Sequence, residues 1–269
     1  MESRQFNYSN QLKNSEPGII EVKTSIYPWK ITRYLLIIVA ILTSLSLLGH
    51  FSLYLLPDFP MKFLLAKKFA LNEEQNFPTL YSSLALFFSS VLFGIITYIK
   101  TQTKNYYRFY WMGLSFIFAF LSVDELLTLH EHLSKPMHKL GVNGILHNAW
   151  VVPGFVAVAI FSMIFYQFFL HLPRYMKRLF ITAILIYLGG AMFVEVLNGS
   201  YKFVHGENNL GYALFTTIEE VMEMLGVVVL IHSLLLYIAK LDLHQIKLDL
   251  NFVEKPEVAT LKSRKLEKI

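Results

Sequence analysis

The chain contains no cysteine among its 269 residues, and it is poor in charged residues. The absence of cysteine excludes disulfide bridges, thiolate metal ligands and cysteine nucleophiles. Charged residues make up 16% of the chain, whereas soluble domains carry about 25%. Hydrophobic residues make up 55%. This composition predicts a membrane protein.

A nucleic-acid partner is not expected, although the net charge is +5. The positive side chains lie in short loops and in the terminal tails, between apolar runs. Membrane proteins use this distribution to set their orientation in the bilayer. The first thirty residues lack the short apolar core of a signal peptide, so we interpret residues 1–33 as a cytoplasmic tail.

Six apolar runs are long enough to cross the bilayer, because a spanning helix needs about 20 residues. The runs cover residues 34–57, 75–99, 109 to near 136, 149–170, 179–199 and 212–239. They are continuous and lack the alternation that strands show. We therefore predict an all-α bundle of about six transmembrane helices at residues 34–239, located in the cell membrane. Residues 240–269 are expected to form a second tail.

The positions of Lys and Arg predict the orientation of the bundle. Of the 24 residues of these two types, 18 lie in the two tails and in the loops at 100–108 and 171–178, and six lie in the alternate loops. The side that is richer in Lys and Arg is normally cytoplasmic. Both termini are therefore expected on the cytoplasmic side, which agrees with an even number of spans.

A polar layer is expected in the outer half of the bundle. Asp124, Glu195 and Glu223 each lie 15 or 16 residues from the cytoplasmic end of their run. At a rise of 1.5 Å per residue, this distance is about 22–24 Å. His50 lies at the same depth in the first run, and so do the hydroxyl groups of residues 81–83 in the second. Charged groups at such a depth are costly, so they are expected to face a protein interior or a water-filled cavity.

Two of the predicted helices carry a stripe of acidic side chains. If the third run is one continuous helix, its stripe spans about 120° and consists of Asp124, Glu125, Glu131 and His132. The stripe on the sixth helix spans about 100° and consists of Glu219, Glu220 and Glu223. His130 falls outside the first stripe. Both stripes are expected to face the same interior site.

Carboxylates and imidazoles without thiols suit a divalent metal such as iron, manganese or zinc. The predicted metal ligands are Asp124, Glu131, His132, Glu195 and Glu223. The residues predicted to act beside them as acids or bases are Glu125, His130, Glu219 and Glu220. No H-x-x-x-H, H-E-x-x-H or E-x-x-H spacing occurs, so the prediction depends on the common depth of these residues. Crowded acids also suit proton handling, and they can hold membrane helices together by hydrogen bonds.

The pattern of acidic residues and histidine in this chain resembles that of other membrane proteins. Asp124-Glu125 is followed after four residues by His130-Glu131, and later by Glu219-Glu220 and Glu223. This pattern resembles a set of uncharacterised multi-pass membrane proteins of bacteria and cyanobacteria, over about two helices, and it implies no mechanism. A more distant comparison is the superfamily of the alkaline ceramidases, which build a zinc site from Asp and His among seven helices. That superfamily carries an H-x-x-x-H pair on a late helix, where this chain has glutamates, which puts zinc hydrolysis in doubt.

The leading prediction is a membrane-embedded enzyme with a metal–carboxylate–histidine site that opens to the outer leaflet or the periplasm. Its expected substrate is a lipid or another apolar molecule, and its expected partners are the lipid bilayer and either that lipid or other membrane subunits. One alternative is a transporter or channel for protons or divalent cations. The cytoplasmic halves of the spans contain almost no ionisable groups to continue such a pathway. The other alternative is a non-catalytic assembly or scaffold protein.

Overall fold

The computed structural model of the protein describes residues 27–57, 68–71 and 76–241. These residues are predominantly helical, and no strand occurs among them. The predicted all-α bundle is therefore confirmed. Most of the two predicted tails, at residues 1–26 and 242–269, lies outside the described residues.

The described chain forms eight α-helices with three short helical segments between them. The α-helices are α1 (Pro28–Leu55), α2 (Phe77–Gln102), α3 (Arg108–Leu127), α4 (Ser134–Lys139), α5 (Val151–His171), α6 (Arg174–Leu188), α7 (Glu195–His205) and α8 (Leu210–Lys240). The short segments are the 3-10 turns His130–Leu133 and Gly144–Leu146 and the π-helical segment Gly189–Val194. The π-helical segment joins α6 and α7 into one span, Arg174–His205. With α1, α2, α3, α5 and α8, this makes six helices that are long and apolar enough to cross a membrane, as predicted.

Asparagine side chains cap the N-termini of two of these helices. The Asn76 side chain accepts a hydrogen bond from the backbone N–H of Thr79 (3.1 Å), and the Asn209 side chain accepts one from Tyr212 (2.9 Å). Each bond satisfies a donor that the first turn of a helix leaves unpaired. The starts of α2 and α8 are thereby defined.

The third span ends earlier than its sequence predicts. The apolar run was expected to continue as helix to near residue 136, but α3 ends at Leu127. That prediction is wrong because Thr128 adopts a left-handed backbone conformation (φ 52°, ψ 40°), which stops the helical hydrogen-bond pattern. The chain then turns back, and the Asp124 carboxylate accepts a hydrogen bond from the backbone N–H of His130 (2.9 Å). Residues 128–150 therefore form an outer loop that contains α4.

The longest helix, α8, lies at the centre of the bundle. It packs against α1, α2 and the α6–α7 span, and it contributes many of the buried residues. In the cytoplasmic half, its side chains join an apolar core that includes Ile96, Trp111, Met176 and Leu234, each at most 2% exposed. This core fills the half of the bundle that the distribution of Lys and Arg predicts to be cytoplasmic.

Serine hydroxyls hold α2 against α3. Ser83 and Ser122 each donate to the other's backbone carbonyl (2.7 and 2.8 Å), and Ser90 and Ser115 do the same (2.7 and 2.9 Å). Small hydroxyl residues are common at such membrane helix contacts because they allow close approach and also bond across the interface. The predicted hydroxyl group of Ser83 thus serves helix packing.

Two glycines bring α8 into close contact with the α6–α7 span. A Cβ atom on Gly226 would lie 2.7 Å from the Cβ atom of Tyr187, and one on Gly190 would lie 2.7 Å from the backbone oxygen of Glu219. No larger residue fits at either point without a shift of the helices. The close contact fixes the positions of Tyr187 and Glu219 at the level of the polar layer.

Candidate functional site

A cavity of about 1300 Å³ lies in the half of the bundle that is predicted to face outward. His138 and His147 of the loop after α3 line its wall. The wall also contains all seven carboxylates that the sequence places at this level, together with two further histidines: Asp124, Glu125, Glu131, Glu195, Glu219, Glu220, Glu223, His50 and His130. They come from α1, α3, α7, α8 and the turn that follows α3. The helices therefore bring these separate sequence segments to one site.

An aspartate–histidine pair forms where α3 ends. The Oδ2 atom of Asp124 lies 2.9 Å from Nδ1 of His130, and its Oδ1 atom accepts the backbone N–H of the same residue. The two side chains are 15% and 28% exposed, respectively. Because Asp124 engages Nδ1, the other ring nitrogen, Nε2, is left for a ligand in the cavity. The carboxylate holds the orientation of the His130 ring.

His130 is held in its charged form by its acidic neighbours. Burial alone would lower its pKa, but the hydrogen bond that His130 donates to Asp124 and the negative charges of Asp124, Glu223 and Glu125 outweigh it. The pKa of His130 is raised to about 9. At neutral pH, His130 is therefore an imidazolium that can donate a proton.

Trp150 connects this pair to the next carboxylate. Its ring centroid lies 4.6 Å from that of His130, and its indole N–H donates to the Oε1 atom of Glu195 (2.8 Å). Trp150 lies in the outer loop just before α5, whereas Glu195 begins α7. The contact ties the outer loop to the wall of the cavity.

A second group of polar side chains surrounds Glu219. The Asn198 amide donates to the Oε2 atom of Glu219 and to the Thr216 hydroxyl, both at 3.0 Å. The carboxyl groups of Glu219 and Glu195 are hydrogen-bonded to each other. Glu195 and Asn198 are three residues apart and therefore share one face of α7.

Glu223 lies where the two groups meet. It interacts electrostatically with Glu125, His130 and Glu195, and the Tyr187 hydroxyl donates a hydrogen bond to it. It thus faces α3 and its turn on one side and the α6–α7 span on the other. The Glu223 carboxyl group and the His130 ring, two groups that can exchange a proton, therefore lie side by side.

One part of the cavity wall is apolar. Phe120 and Leu121 of α3, Ala157 and Val158 of α5, and Met192 of the π-helical segment line it. A cavity with one acidic wall and one apolar wall suits an amphipathic ligand.

Two buried polar groups of the cavity wall have no partner within the described part of the chain. His50 is 1% exposed and neither of its ring nitrogens is hydrogen-bonded, and the Oδ1 atom of Asn198, which is 2% exposed, is also unpaired. Buried polar groups of proteins are almost always paired with protein, ligand or water. A polar ligand or water in the cavity would supply the partner that each of them lacks among the described residues.

The other predicted site residues lie at the edge of the cavity or outside it. Glu131 is exposed and lines the rim, and Glu220 lines the wall. His132 is exposed, its Nδ1 atom lies 3.0 Å from the backbone oxygen of Thr128, and it does not line the cavity. Within residues 27–57, 68–71 and 76–241, no group of three His, Asp or Glu side chains is arranged to hold a metal ion.

Three residues of the site have no place in the sequence-based prediction: Tyr187, Trp150 and Asn198. Asn198 could have been found from its spacing, since it lies one helical turn after Glu195. Tyr187 and Trp150 give no such signal, because tyrosine and tryptophan are common throughout membrane proteins.

The model of one protein family matches residues 35–238, and the family is described as Domain of unknown function (DUF8692). The matched range contains every residue of the cavity. No curated protein and no solved structure matches the chain.

Proposed function

This chain belongs to the DUF8692 family, and we propose that it is a membrane-embedded enzyme that performs acid–base chemistry on a lipid or another apolar substrate. One observation carries the proposal. The hydrogen-bonded pair of Asp124 and His130 meets the carboxylates of Glu125 and Glu223 in a cavity whose other wall is apolar.

The roles of these residues follow from their charges and contacts. His130 is the proposed general acid, because it is protonated at neutral pH and presents Nε2 to the cavity. Asp124 is a positioning residue that orients the imidazole, as carboxylates do in other catalytic pairs. Glu223 is the proposed general base, since it lies next to His130 and accepts the Tyr187 hydroxyl. Such a pair suits a reaction in which one atom of the substrate gains a proton while a water or hydroxyl group loses one.

The architecture favours an enzyme over a transporter or a scaffold. The cytoplasmic half below the cavity is filled by large apolar side chains such as Trp111 and Met176, which are at most 2% exposed. A route for ions would need polar groups there. A scaffold would use its acids for contacts between helices, whereas these acids line a cavity in which His50 and Asn198 still need partners.

A divalent metal such as iron, manganese or zinc stays a prediction. The side chains, as they are arranged, offer no group of three ligands within the described residues. No step of the proposed chemistry is therefore routed through a metal.

The proposal is tested with purified protein in lipid nanodiscs that contain the total lipid extract of the host membrane. Lipid mass spectrometry should find at least one lipid that the parent protein converts. Glu223→Gln and His130→Ala should each slow this conversion by about 10²–10⁴-fold, the usual effect of removing a general acid or base. Thermal unfolding of each variant checks that it is folded. If no lipid is converted, or if the folded variants convert it as fast as the parent does, the proposal is contradicted.

His132→Ala separates acid–base chemistry from the metal prediction. His132 lies outside the cavity but was predicted from the sequence as a metal ligand. The acid–base account expects this variant to keep the parental rate. If His132→Ala loses both bound metal and activity, measured by elemental analysis and lipid conversion, a metal site replaces the account.

A further inference from the structure

The cavity reaches the lipid-facing surface of the bundle between α3 and α5. Phe120 of α3 and Ala157 of α5 both line the cavity, and both side chains are exposed. Phe120 lies seven residues before the outer end of α3, and Ala157 lies six residues after the outer end of α5. At 1.5 Å per residue, both are about 9–10 Å below the helix ends. The opening therefore lies at the depth of the hydrocarbon and not only at the aqueous surface.

Contacts above and below fix the size of this opening. Towards the cytoplasm, α3 and α5 are joined by Trp111 and Phe168, whose ring centroids are 4.9 Å apart, and by Tyr110 stacked on Phe168 at 5.4 Å. Just beyond the outer ends of the two helices, His130 contacts Trp150 at 4.6 Å. The two helices are therefore held together at both ends while the cavity lies between them.

The surface around the opening consists of exposed apolar side chains. On α3, Phe116 is 67% exposed, and on α5, Ile160 and Met163 are 52% and 79% exposed. Apolar side chains with such exposure in a membrane-spanning helix face acyl chains. A lipid of the outer leaflet is thus the molecule that lies against the opening.

The polar end of the cavity selects the charge of the head group. Eight carboxyl groups line the cavity, and its two positive groups are already paired: Lys202 with Glu207 at 2.7 Å and the His130 imidazolium with Asp124 at 2.9 Å. A cationic group would be attracted and an anionic one repelled, because charges interact strongly where water is scarce. The buried Oδ1 atom of Asn198, beside Glu219, has no donor within the described residues. An amine supplies both the N–H donor and the positive charge.

We propose that the cavity admits an amphipathic lipid with an amine-bearing, cationic head through the opening between α3 and α5. The head lies among Glu195, Asn198 and Glu219, and the chain lies between Phe120 and Ala157. This inference rests on the proposed function, since it names the substrate class of the same cavity. It concerns binding, so it can be tested without turnover.

The test uses a long-chain alkylamine with a photoreactive diazirine in its chain, and an alkyl sulfate of the same chain as the anionic probe. Each probe is added to the full-length protein in nanodiscs, and the labelled peptides are identified by mass spectrometry. The amine should label peptides of α3 and α5 in the parent protein, and the sulfate should label them about tenfold less. Glu219→Gln should reduce the difference between labelling by the amine and labelling by the sulfate.

Two tryptophan substitutions on α5 test the opening itself. Ala157→Trp places a large ring in the opening, and labelling of α3 and α5 by the amine should fall about tenfold. Ala159→Trp is the matched control, because Ala159 is also exposed on α5 but does not line the cavity. Phe120→Trp repeats the test from the α3 side, in case Ala157→Trp does not fold.

Equal labelling by the two probes, or equal labelling of Ala157→Trp and Ala159→Trp, would overturn the inference. Selective labelling without any lipid conversion would leave the binding site standing and contradict the enzyme. If Ala157→Trp converts the lipid at the parental rate, the proposed enzymatic function stands and the proposed entrance between α3 and α5 is contradicted.

Discussion

At the residue scale, the pair of Asp124 and His130 dominates the site. One carboxylate accepts both the backbone N–H and the ring Nδ1 of the same histidine. This double contact fixes the ring in one position, and the neighbouring Glu125 and Glu223 add negative charge. A histidine that would titrate near pH 6.5 is thereby kept charged at neutral pH.

This pair predicts how the stability of the protein depends on pH. The pKa of His130 is about 9 in the folded protein, above its ordinary value of 6.5. A raised pKa contributes stability that is complete below pH 6.5 and is lost as the pH rises through about 9. The shift corresponds to at most about 3 kcal/mol. The melting temperature of the parent should therefore fall over this pH range.

In Asp124→Asn, the melting temperature should fall less as the pH rises, because the substitution removes the charge next to His130 and leaves Glu125 and Glu223 in place. Thermal unfolding of the two proteins across the same buffers checks this expectation. The same dependence on pH in both proteins would show that Asp124 does not hold the proton on His130.

The sequence identifies the acidic residues of the site but not their partners. Asp124, Glu195 and Glu223 stand out because charged residues are rare in apolar runs. The contact of Asp124 with His130 could not be predicted, because the helical geometry assumed for residues 109 to 136 places His130 on another face. Trp150 and Tyr187 were not predicted either, since their roles depend on how distant segments pack.

At the scale of helices, the contact between α8 and the α6–α7 span positions the site. Gly190 and Gly226 allow the two backbones to approach, and the π-helical segment Gly189–Val194 lies at the same level. An irregular turn of this kind is often found at functional sites because it changes the direction in which side chains point. Here Tyr187 precedes the segment and Glu195 follows it.

Gly226→Ala should destabilise the protein by about 1–3 kcal/mol, the usual cost of adding a methyl group to a packed contact. Its Cβ atom would lie 2.8 Å from the backbone nitrogen of Tyr187. The shift should also disturb the bond between Tyr187 and Glu223. Unfolding in denaturant measures the first effect, and lipid conversion measures the second.

Gly94→Ala is the matched control on another helix contact. There the new Cβ atom would lie 3.4 Å from the Ser115 hydroxyl, an ordinary contact distance. This variant should have nearly the parental stability. If Gly226→Ala were no less stable than Gly94→Ala, the claim that α8 closely contacts the α6–α7 span at Gly226 would be contradicted.

The helices themselves could be predicted, but their ends and irregularities could not. Six long apolar runs leave few alternatives to six spans. The end of α3 depends on the left-handed backbone of Thr128, a conformation that a β-branched residue rarely adopts and that no sequence pattern indicates. The π-helical segment likewise depends on packing against α8. The glycine pair within it is ordinary in membrane helices.

At the scale of the whole molecule, the two halves of the bundle differ in polarity. The outer half holds the acidic cavity, and the cytoplasmic half holds an apolar core. Lys30, Lys100, Arg108, Arg174 and Lys240 lie near the opposite ends of their helices from the cavity. With the excess of Lys and Arg on that side, the cavity is expected to open away from the cytoplasm.

The most direct test of this account is the accessibility of Glu223 from each side of the membrane. The chain has no cysteine, so Glu223→Cys introduces a single thiol at the level of the cavity. A membrane-impermeant maleimide is added to intact cells and, separately, to inverted membrane vesicles. Lys139→Cys and Lys104→Cys, both exposed, serve as controls for the outer and the cytoplasmic side.

We predict that Glu223→Cys reacts in intact cells, as Lys139→Cys does, and that it is protected in inverted vesicles, where Lys104→Cys reacts. With both controls behaving as expected, reaction of Glu223→Cys from the cytoplasmic side, or from neither side, would contradict an acidic cavity that opens to water on the outer side alone.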